Sequence, residues 1–276
     1  MKWRNRGKPI AVILTVVLLA FLLFPFFVML SSMFKSAEEV YTNPPTWIPK
    51  SWKFSNLIRL WTEFDFAVYF KSSVIISLGS TVLNTLLTVP AAYAVARLRF
   101  VGRRMMLYLF LVIQMFSPVI VVISLFKTMA SLKLLNTYLS LILANSVFTI
   151  AFTIWMMNGY FRSIPKEIEE AALIDGCSRL TALIRVVVPI IAPGMAVVAL
   201  FAFIATWNEF LFAVVLTGIE TKTMMVLVTS FTSGGTDMFY GEASASVVLG
   251  VLPAFAVAFL LQRYLVKGLA LGGTKG

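Results

Sequence analysis

Most of the side chains that perform chemistry are scarce in this 276-residue chain, which has no histidine and a single cysteine, Cys177. An imidazole base, a Cys–His nucleophile pair, a His/Cys zinc cage and an internal disulfide are therefore all unavailable. An intramembrane enzyme is hard to build from what remains, and no catalytic or metal-binding residue is assigned. Polar residues nevertheless interrupt apolar stretches at Asn84, Gln114, Ser117, Asn145, Asn158, Asn208 and Glu209, and Trp207 stands beside the last two. Amides and a carboxylate next to an aromatic ring suit a sugar, which offers hydroxyls and an apolar ring face. Gln114, Asn145, Trp207, Asn208 and Glu209 are the candidates for a solute pathway. The competing reading is that such groups hydrogen-bond between helices and hold a bundle together.

A second constellation lies at 163–189. Pro165 suits a first helical position, and Glu167, Glu169 and Glu170 meet the positive end of a helix dipole. Gly176 fits the residue just past a helix end, where a left-handed conformation closes the last turn, and Ser178 can cap a second short helix running toward Pro189. Ile164, Ile168, Ala171, Ala172 and Asp175 fall at helical spacing, so the middle of one face is small and flat. Another protein's backbone can approach such a face closely, with the flanking charges fixing register. An interfacial helix resting on its own bundle is the competing reading.

The elements that position these residues follow from composition: 60% of residues are apolar and only 13% charged, too little polar surface to coat a soluble globule. Six stretches lack Asp, Glu, Lys and Arg altogether, and each reaches the roughly 20 residues a helix needs to cross about 30 Å of hydrocarbon. The expected fold is all-α: one polytopic membrane domain of six spans at about 10–33, 70–96, 105–130, 135–160, 185–216 and 243–265. A cleaved signal peptide is the rival for the first stretch, but its apolar run is longer than usual and no small-residue cleavage pattern ends it.

Most of the 23 basic residues, but only Glu167, Glu169, Glu170 and Asp175 among the 12 acids, fall on the side that holds the N-terminus, so the whole formal charge of +11 lies there. The positive-inside rule makes that side cytoplasmic, with both termini inside. These positives flank spans instead of lining one soluble face, which argues against nucleic acid. The segment 35–71 reads as an irregular lead-in, then a short surface helix near Phe54–Phe66, with Trp47, Trp52 and Trp61 as interfacial anchors. Residues 217–242, with Gly218, Gly234 and Gly235, read as a loose cover over an outer opening. Pro25, Pro90, Pro118, Pro193 and Pro253 each bend or interrupt a span.

Glu170-Ala171-Ala172, three residues, Gly176, nine residues, then Val186-Val187-Val188-Pro189 resembles the EAA loop of ATP-binding-cassette importer permeases. Val186 and Val188 stand where that pattern has Ile and Leu, with the spacing intact. Ala91–Arg97, Ile164-Pro165, Ile174-Asp175-Gly176, Trp207–Phe210 and the ending from Lys267 are similar to the carbohydrate-uptake branch, in particular the smaller, six-span permease of the maltose importer. The last residues, Gly272–Gly276, match only loosely.

The resemblance implies a permease subunit, not an enzyme, in a bacterial or archaeal cytoplasmic membrane. Its implied partners are a second permease, two ATP-binding-cassette ATPases that use ATP and Mg, and a periplasmic or lipid-anchored solute-binding protein; no cofactor is bound by this chain. By the same carry-over Glu170 is a polar anchor to the ATPase, Ala171 and Ala172 are the close-packed surface, Gly176 sets the angle between two helices, and Asp175 and Pro189 complete the motif. Disaccharides, oligosaccharides, sugar alcohols and glycerol phosphates are the solute classes implied. A self-contained secondary carrier or channel is the alternative, and it would want buried ionisable groups where the spans offer only Glu209 at an edge.

Overall fold

The computed structural model describes residues 7–232 and 239–272, and all their regular structure is helical. In chain order the helices are α1 (Gly7–Ser32), α2 (Ala37–Val40), α3 (Ser55–Thr62), α4 (Phe66–Arg97), α5 (Arg103–Ile113), α6 (Pro118–Ser131), α7 (Tyr138–Ser163), α8 (Lys166–Ile174) and α9 (Arg179–Ala182). A π-helical turn, Leu183–Val187, leads into α10 (Val188–Trp207), followed by α11 (Leu211–Leu216), α12 (Met224–Thr232) and α13 (Tyr240–Gly272). The basic start at Lys2, Arg4 and Arg6, the pair Gly234–Gly235 and the ending Gly273–Gly276 lie outside the described residues.

Among the described residues five helices are long and apolar enough to cross a membrane, within Ala11–Ser32, Phe66–Arg97, Tyr138–Ser163, Arg179–Trp207 and Tyr240–Tyr264. A sixth crossing is made if α5 and α6, which meet at 97°, count as one broken span. That break departs from the single stretch expected over 105–130. Its cause is Pro118, which takes the first position of α6 and holds Ser117 extended at ψ 132°. The loose segment expected at 217–242 also contains order: α12 forms there because Met224, Leu227 and Phe231 recur at helical spacing and are buried.

The described residues fall into two compact units. One comprises the chain up to Ala67 with Leu227–Leu252. Polar stitches close its connecting segment: Asn56 donates its amide to the Met33 and Lys35 carbonyls at 3.0 and 2.8 Å, and Ser31 donates to the Trp47 carbonyl at 2.6 Å. Glu39 accepts from the Lys50 N–H at 2.8 Å and the Thr46 hydroxyl at 3.0 Å. The Lys50 N–H is foremost in holding the Glu39 carboxyl below its usual range, against the opposing effect of burial. Arg59 bridges Glu242 at 2.6 Å and Glu63 at 3.0 Å. Trp47, Trp52 and Trp61 remain exposed, as interfacial anchors do.

The second unit, Val68–Val226 with the chain from Pro253, is organised by α4, α7 and α10. Ala92, Ile154, Met157, Phe161, Val187 and Ile191 belong to one apolar cluster, and Ile76, Leu141, Ala144, Phe212 and Leu216 to another. Along α4, Ser73, Ser77, Ser80, Asn84 and Thr88 form a buried polar stripe, of which Ser80, Asn84 and Thr88 bond to α7. Asn84 donates to the Thr149 hydroxyl at 2.8 Å, the Thr88 and Thr153 hydroxyls share a bond of 2.8 Å, and Ser80 reaches the Ile142 carbonyl at 3.4 Å. Such a bond between membrane helices is worth only about 0.6 kcal/mol. The larger effect is that small side chains let the two backbones approach.

α7 and α10 meet as closely at Gly194, where an added Cβ would lie 2.5 Å from the Tyr160 ring. Overpacking there costs about 1–3 kcal/mol, against the roughly 1 kcal/mol that Ala gains over Gly in a helix. Gly159 has nothing within 4 Å of its would-be Cβ. Gly194→Ala is therefore expected to lower the thermal unfolding midpoint in detergent, and Gly159→Ala to leave it unchanged or raise it. Equal shifts in the two variants would contradict this packing.

Candidate functional site

α7 ends where Ile164 and Pro165 turn extended, with ψ of 130° and 137°. Pro165 thus precedes α8 and Lys166 opens it, one residue later than the sequence expectation. Glu167 and Glu169 occupy the first turn, where the dipole favours negative charge. At the other end Gly176 is left-handed, with φ of 87°. Its N–H donates to the Leu173 carbonyl at 3.1 Å and that of Cys177 to the Ala172 carbonyl at 3.0 Å, so two of the last carbonyls are satisfied by a left-handed cap. A Cβ at Gly176 would touch nothing within 4 Å, so glycine is needed for its backbone, since the left-handed region costs an L-residue about 1–2 kcal/mol.

Ser178 then accepts the Thr181 N–H at 3.2 Å and starts α9, as its residue type suggested. Pro189 has no N–H to offer the Arg185 carbonyl. Immediately upstream the chain widens into the π turn, where the Val188 N–H donates to the Leu183 carbonyl.

The loop is two-faced. Ile164, Glu169, Ala172, Ala182, Leu183 and Val187 are buried against α4, α7 and α10, whereas Glu167, Glu170, Ala171, Ile174 and Asp175 are exposed. Glu167, Glu170, Ala171 and Ile174 form one stripe at helical spacing, and Ile174 is 86% exposed. The structure therefore brings Glu170, Ala171, Asp175 and Gly176 together on the free side, while Ala172 packs inward and Pro189 sits at the start of α10.

Sequence reasoning gave Glu169 only a helix-dipole role. In the structure it forms an ion pair with Arg97, Nε to Oε2 3.1 Å, between side chains 8% and 6% exposed. The Tyr93 hydroxyl donates to its other oxygen, and Arg97 also donates to the Ile164 carbonyl at 2.9 Å. Arg97 is the last residue of α4, so this end of the span grips both the entrance of the loop and α8. Deleting one partner of a buried pair strands the other charge, at about 3–5 kcal/mol. The signal in the sequence was Tyr93 and Arg97, four residues apart on one helical face, but nothing local points from them to Glu169.

The candidate pathway residues cluster at helix breaks. Gln114 donates to the Phe148 carbonyl at 2.7 Å beside the α5–α6 bend. Trp207 is buried and stacked on Phe203, with centroids 5.6 Å apart and planes at 17°. Asn208 closes α10 by donating to the Ile204 carbonyl at 2.9 Å, and Glu209 accepts the Phe212 and Ala213 N–H groups at 2.6 and 3.0 Å, capping α11. The fifth apolar stretch, expected over 185–216, is thereby interrupted at 208–210. Phe148 touches both breaks, its carbonyl accepting from Gln114 and its ring centroid lying 4.7 Å from that of Phe212. Asn145 is set apart, with its amide on the Leu141 carbonyl of its own helix at 2.9 Å. Among the described residues no group of three His, Cys, Asp or Glu side chains could hold a metal ion.

Residues 84–271 match the family model described as "Binding-protein-dependent transport system inner membrane component". The inner membrane ABC transporter permease protein YcjP of Escherichia coli K12 is 35% identical over 257 residues, 92% of this chain and 91% of its own. The sulfoquinovosyl glycerol transport system permease protein SmoH of Agrobacterium fabrum is 34% identical, over 98% of this chain and 95% of its own. For the trehalose/maltose transport system permease protein MalG of Thermococcus litoralis the identity is 33%, covering 98% of each. A chain of a bacterial ABC transporter involved in the import of the acidic polysaccharide alginate superposes with a TM-score of 0.78 at 25% identity, over 96% of this chain and 100% of that one. The apolar helices, the two-faced loop between α7 and α10 and this likeness over nearly the whole length agree: the chain belongs to the inner-membrane permeases of binding-protein-dependent transport systems.

Proposed function

We propose that this chain is one of two permease subunits of an ATP-driven importer, and that it passes a sugar or sugar-like solute delivered by a binding protein. The observation that carries the reading is α8. Its inner face is clamped to the chain's own spans, while Glu167, Glu170, Ala171 and Ile174 stand exposed on the other. A projecting isoleucine beside carboxylates, continued by exposed Leu180 and Ile184, is a surface suited to being covered by another protein.

In this reading the partner is an ATP-binding-cassette ATPase, one of two in the complex, and it alone binds ATP and Mg. Glu170 anchors the contact by charge, Ala171 allows close approach, and Gly176 holds α8 at a fixed angle to α9. Closure of the ATPases on ATP displaces α8, and α7 and α10, joined to it by short connections, tilt with it. On the same reading the loop and both termini lie in the cytoplasm of a bacterial or archaeal cell, an orientation that the positive-inside bias supports. A binding protein, periplasmic or lipid-anchored, docks on the opposite side.

The solute class is supported by the relatives named above, whose systems transport trehalose/maltose and sulfoquinovosyl glycerol. The breaks at 114–117 and 208–210, with Gln114, Trp207, Asn208 and Glu209, are the part of the pathway this chain contributes, since interrupted helices in membranes are tolerated where they line a cavity or are buried in protein. Asn145 stands as the helix-supporting member of that set.

The tagged chain is expected to co-purify from native membranes with a second permease and two ATPases. Glu170→Lys and Gly176→Pro should leave membrane insertion intact and abolish ATPase stimulation by the binding protein. A lone chain that sustains uptake, or two variants with undiminished stimulation, would overturn the proposal.

A further inference from the structure

The adjacent carboxylates of Glu169 and Glu170 face opposite ways. Glu170 is exposed, whereas the Glu169 side chain is only 8% exposed and is held at both oxygens by α4: by Arg97 at 3.1 Å on one and by the Tyr93 hydroxyl on the other. Arg97 and Tyr93 lie one turn apart at the end of α4, and Arg97 has a second hold at the Ile164 carbonyl, 2.9 Å away. α8 is connected through the chain to α7 on one side and to α9 and α10 on the other. α4 has no such connection to it. The clasp at Glu169 is the polar link that joins α8 to α4, and from there the buried seam of Asn84, Thr88, Thr149 and Thr153 joins α4 to α7 along its length.

We infer that Glu169 is a positioning residue for energy transfer: it fastens α8 to the end of α4 through Arg97 and Tyr93, so that a displacement of α8 carries α4 and α7 together, while its neighbour Glu170 faces the ATPase. The inference rests on the docking role proposed above and adds a second function within the same loop. Docking and transmission are divided between two consecutive residues. Without the clasp, α8 still presents its outer stripe to the ATPase, but its motion reaches α4 only indirectly, through α7. The same holds in reverse, when the binding protein's arrival is signalled inward through the spans.

The test uses the complete four-subunit complex in proteoliposomes with its purified binding protein, and reads two quantities: ATPase association by pull-down, and the ratio of ATP hydrolysis with and without the binding protein. Glu169→Ala should retain association and lose the stimulation. Glu169→Gln, which keeps an acceptor for Tyr93 but not the ion pair, should retain part of it, and the exchange Arg97→Glu with Glu169→Arg should restore more than either single reversal. A merely structural role would lower assembly and stimulation together, and the exchange would restore both in parallel. Loss of association in Glu169→Ala would make Glu169 a docking residue and overturn the inference, as would stimulation at the parent level. Glu170→Lys is the control for the underlying reading: if it keeps both association and stimulation, docking itself fails, whatever Glu169 does.

Discussion

Hydrocarbon offers no hydrogen-bond partner, and the polar geometry of this protein follows from that constraint. Every N–H or carbonyl freed where a helix bends must be met from within the protein. At the α10–α11 break Glu209 meets the freed Phe212 and Ala213 N–H groups, and beside the α5–α6 bend the Gln114 amide finds its partner in the Phe148 carbonyl of α7. Within the stripe on α4, Asn84 and Thr88 bond across to Thr149 and Thr153 of α7, and Ser73 accepts the Met224 N–H. Polar residues inside these spans therefore support irregular backbone and close packing first. Any contact with a solute is made by groups already held in place by that support.

The same constraint explains why the loop at 163–189 is two-faced. Its inner side lies against the spans, so the one carboxylate there, Glu169, is matched by a cation and a hydroxyl. Its outer side bears exposed carboxylates and an isoleucine, which water tolerates singly and a partner surface can bury together. A loop serving only to connect α7 with α10 has no need of a left-handed glycine, a capped second helix and a buried ion pair to a third span. Those features hold α8 in one orientation, which a contact that transmits force requires.

Elements governed by local chemistry were legible in the sequence. Five of the six uncharged stretches hold helices long and apolar enough to cross a membrane, Gly176 adopts the left-handed conformation its place after a helix implied, and Ser178 caps α9. Interactions between residues far apart along the chain were not legible. Glu169 finds its partner in Arg97 across an entire span, and a glutamate at a helix start has a sufficient local explanation that points elsewhere. Proline at 118 announced an interruption, but the 97° angle depends on what packs around it. α12 was hidden because glycines at 218, 234 and 235 outweighed a short apolar repeat within a polar segment. At Asn208 and Glu209 the residue types suited sugar recognition and helix capping equally, and only the backbone of α10 and α11 reveals the capping.

The central claim is that α8 turns its outer stripe to an ATPase and keeps its inner face on the chain's own spans. Single cysteines at Ile174 and at Ala172, placed in a Cys177→Ser background, test it by cross-linking within the assembled complex. The cysteine at 174 should cross-link to an ATPase subunit carrying a matching cysteine, and that at 172 should not. Cross-linking from position 172 with none from 174 would contradict the orientation of the helix and the coupling account built on it.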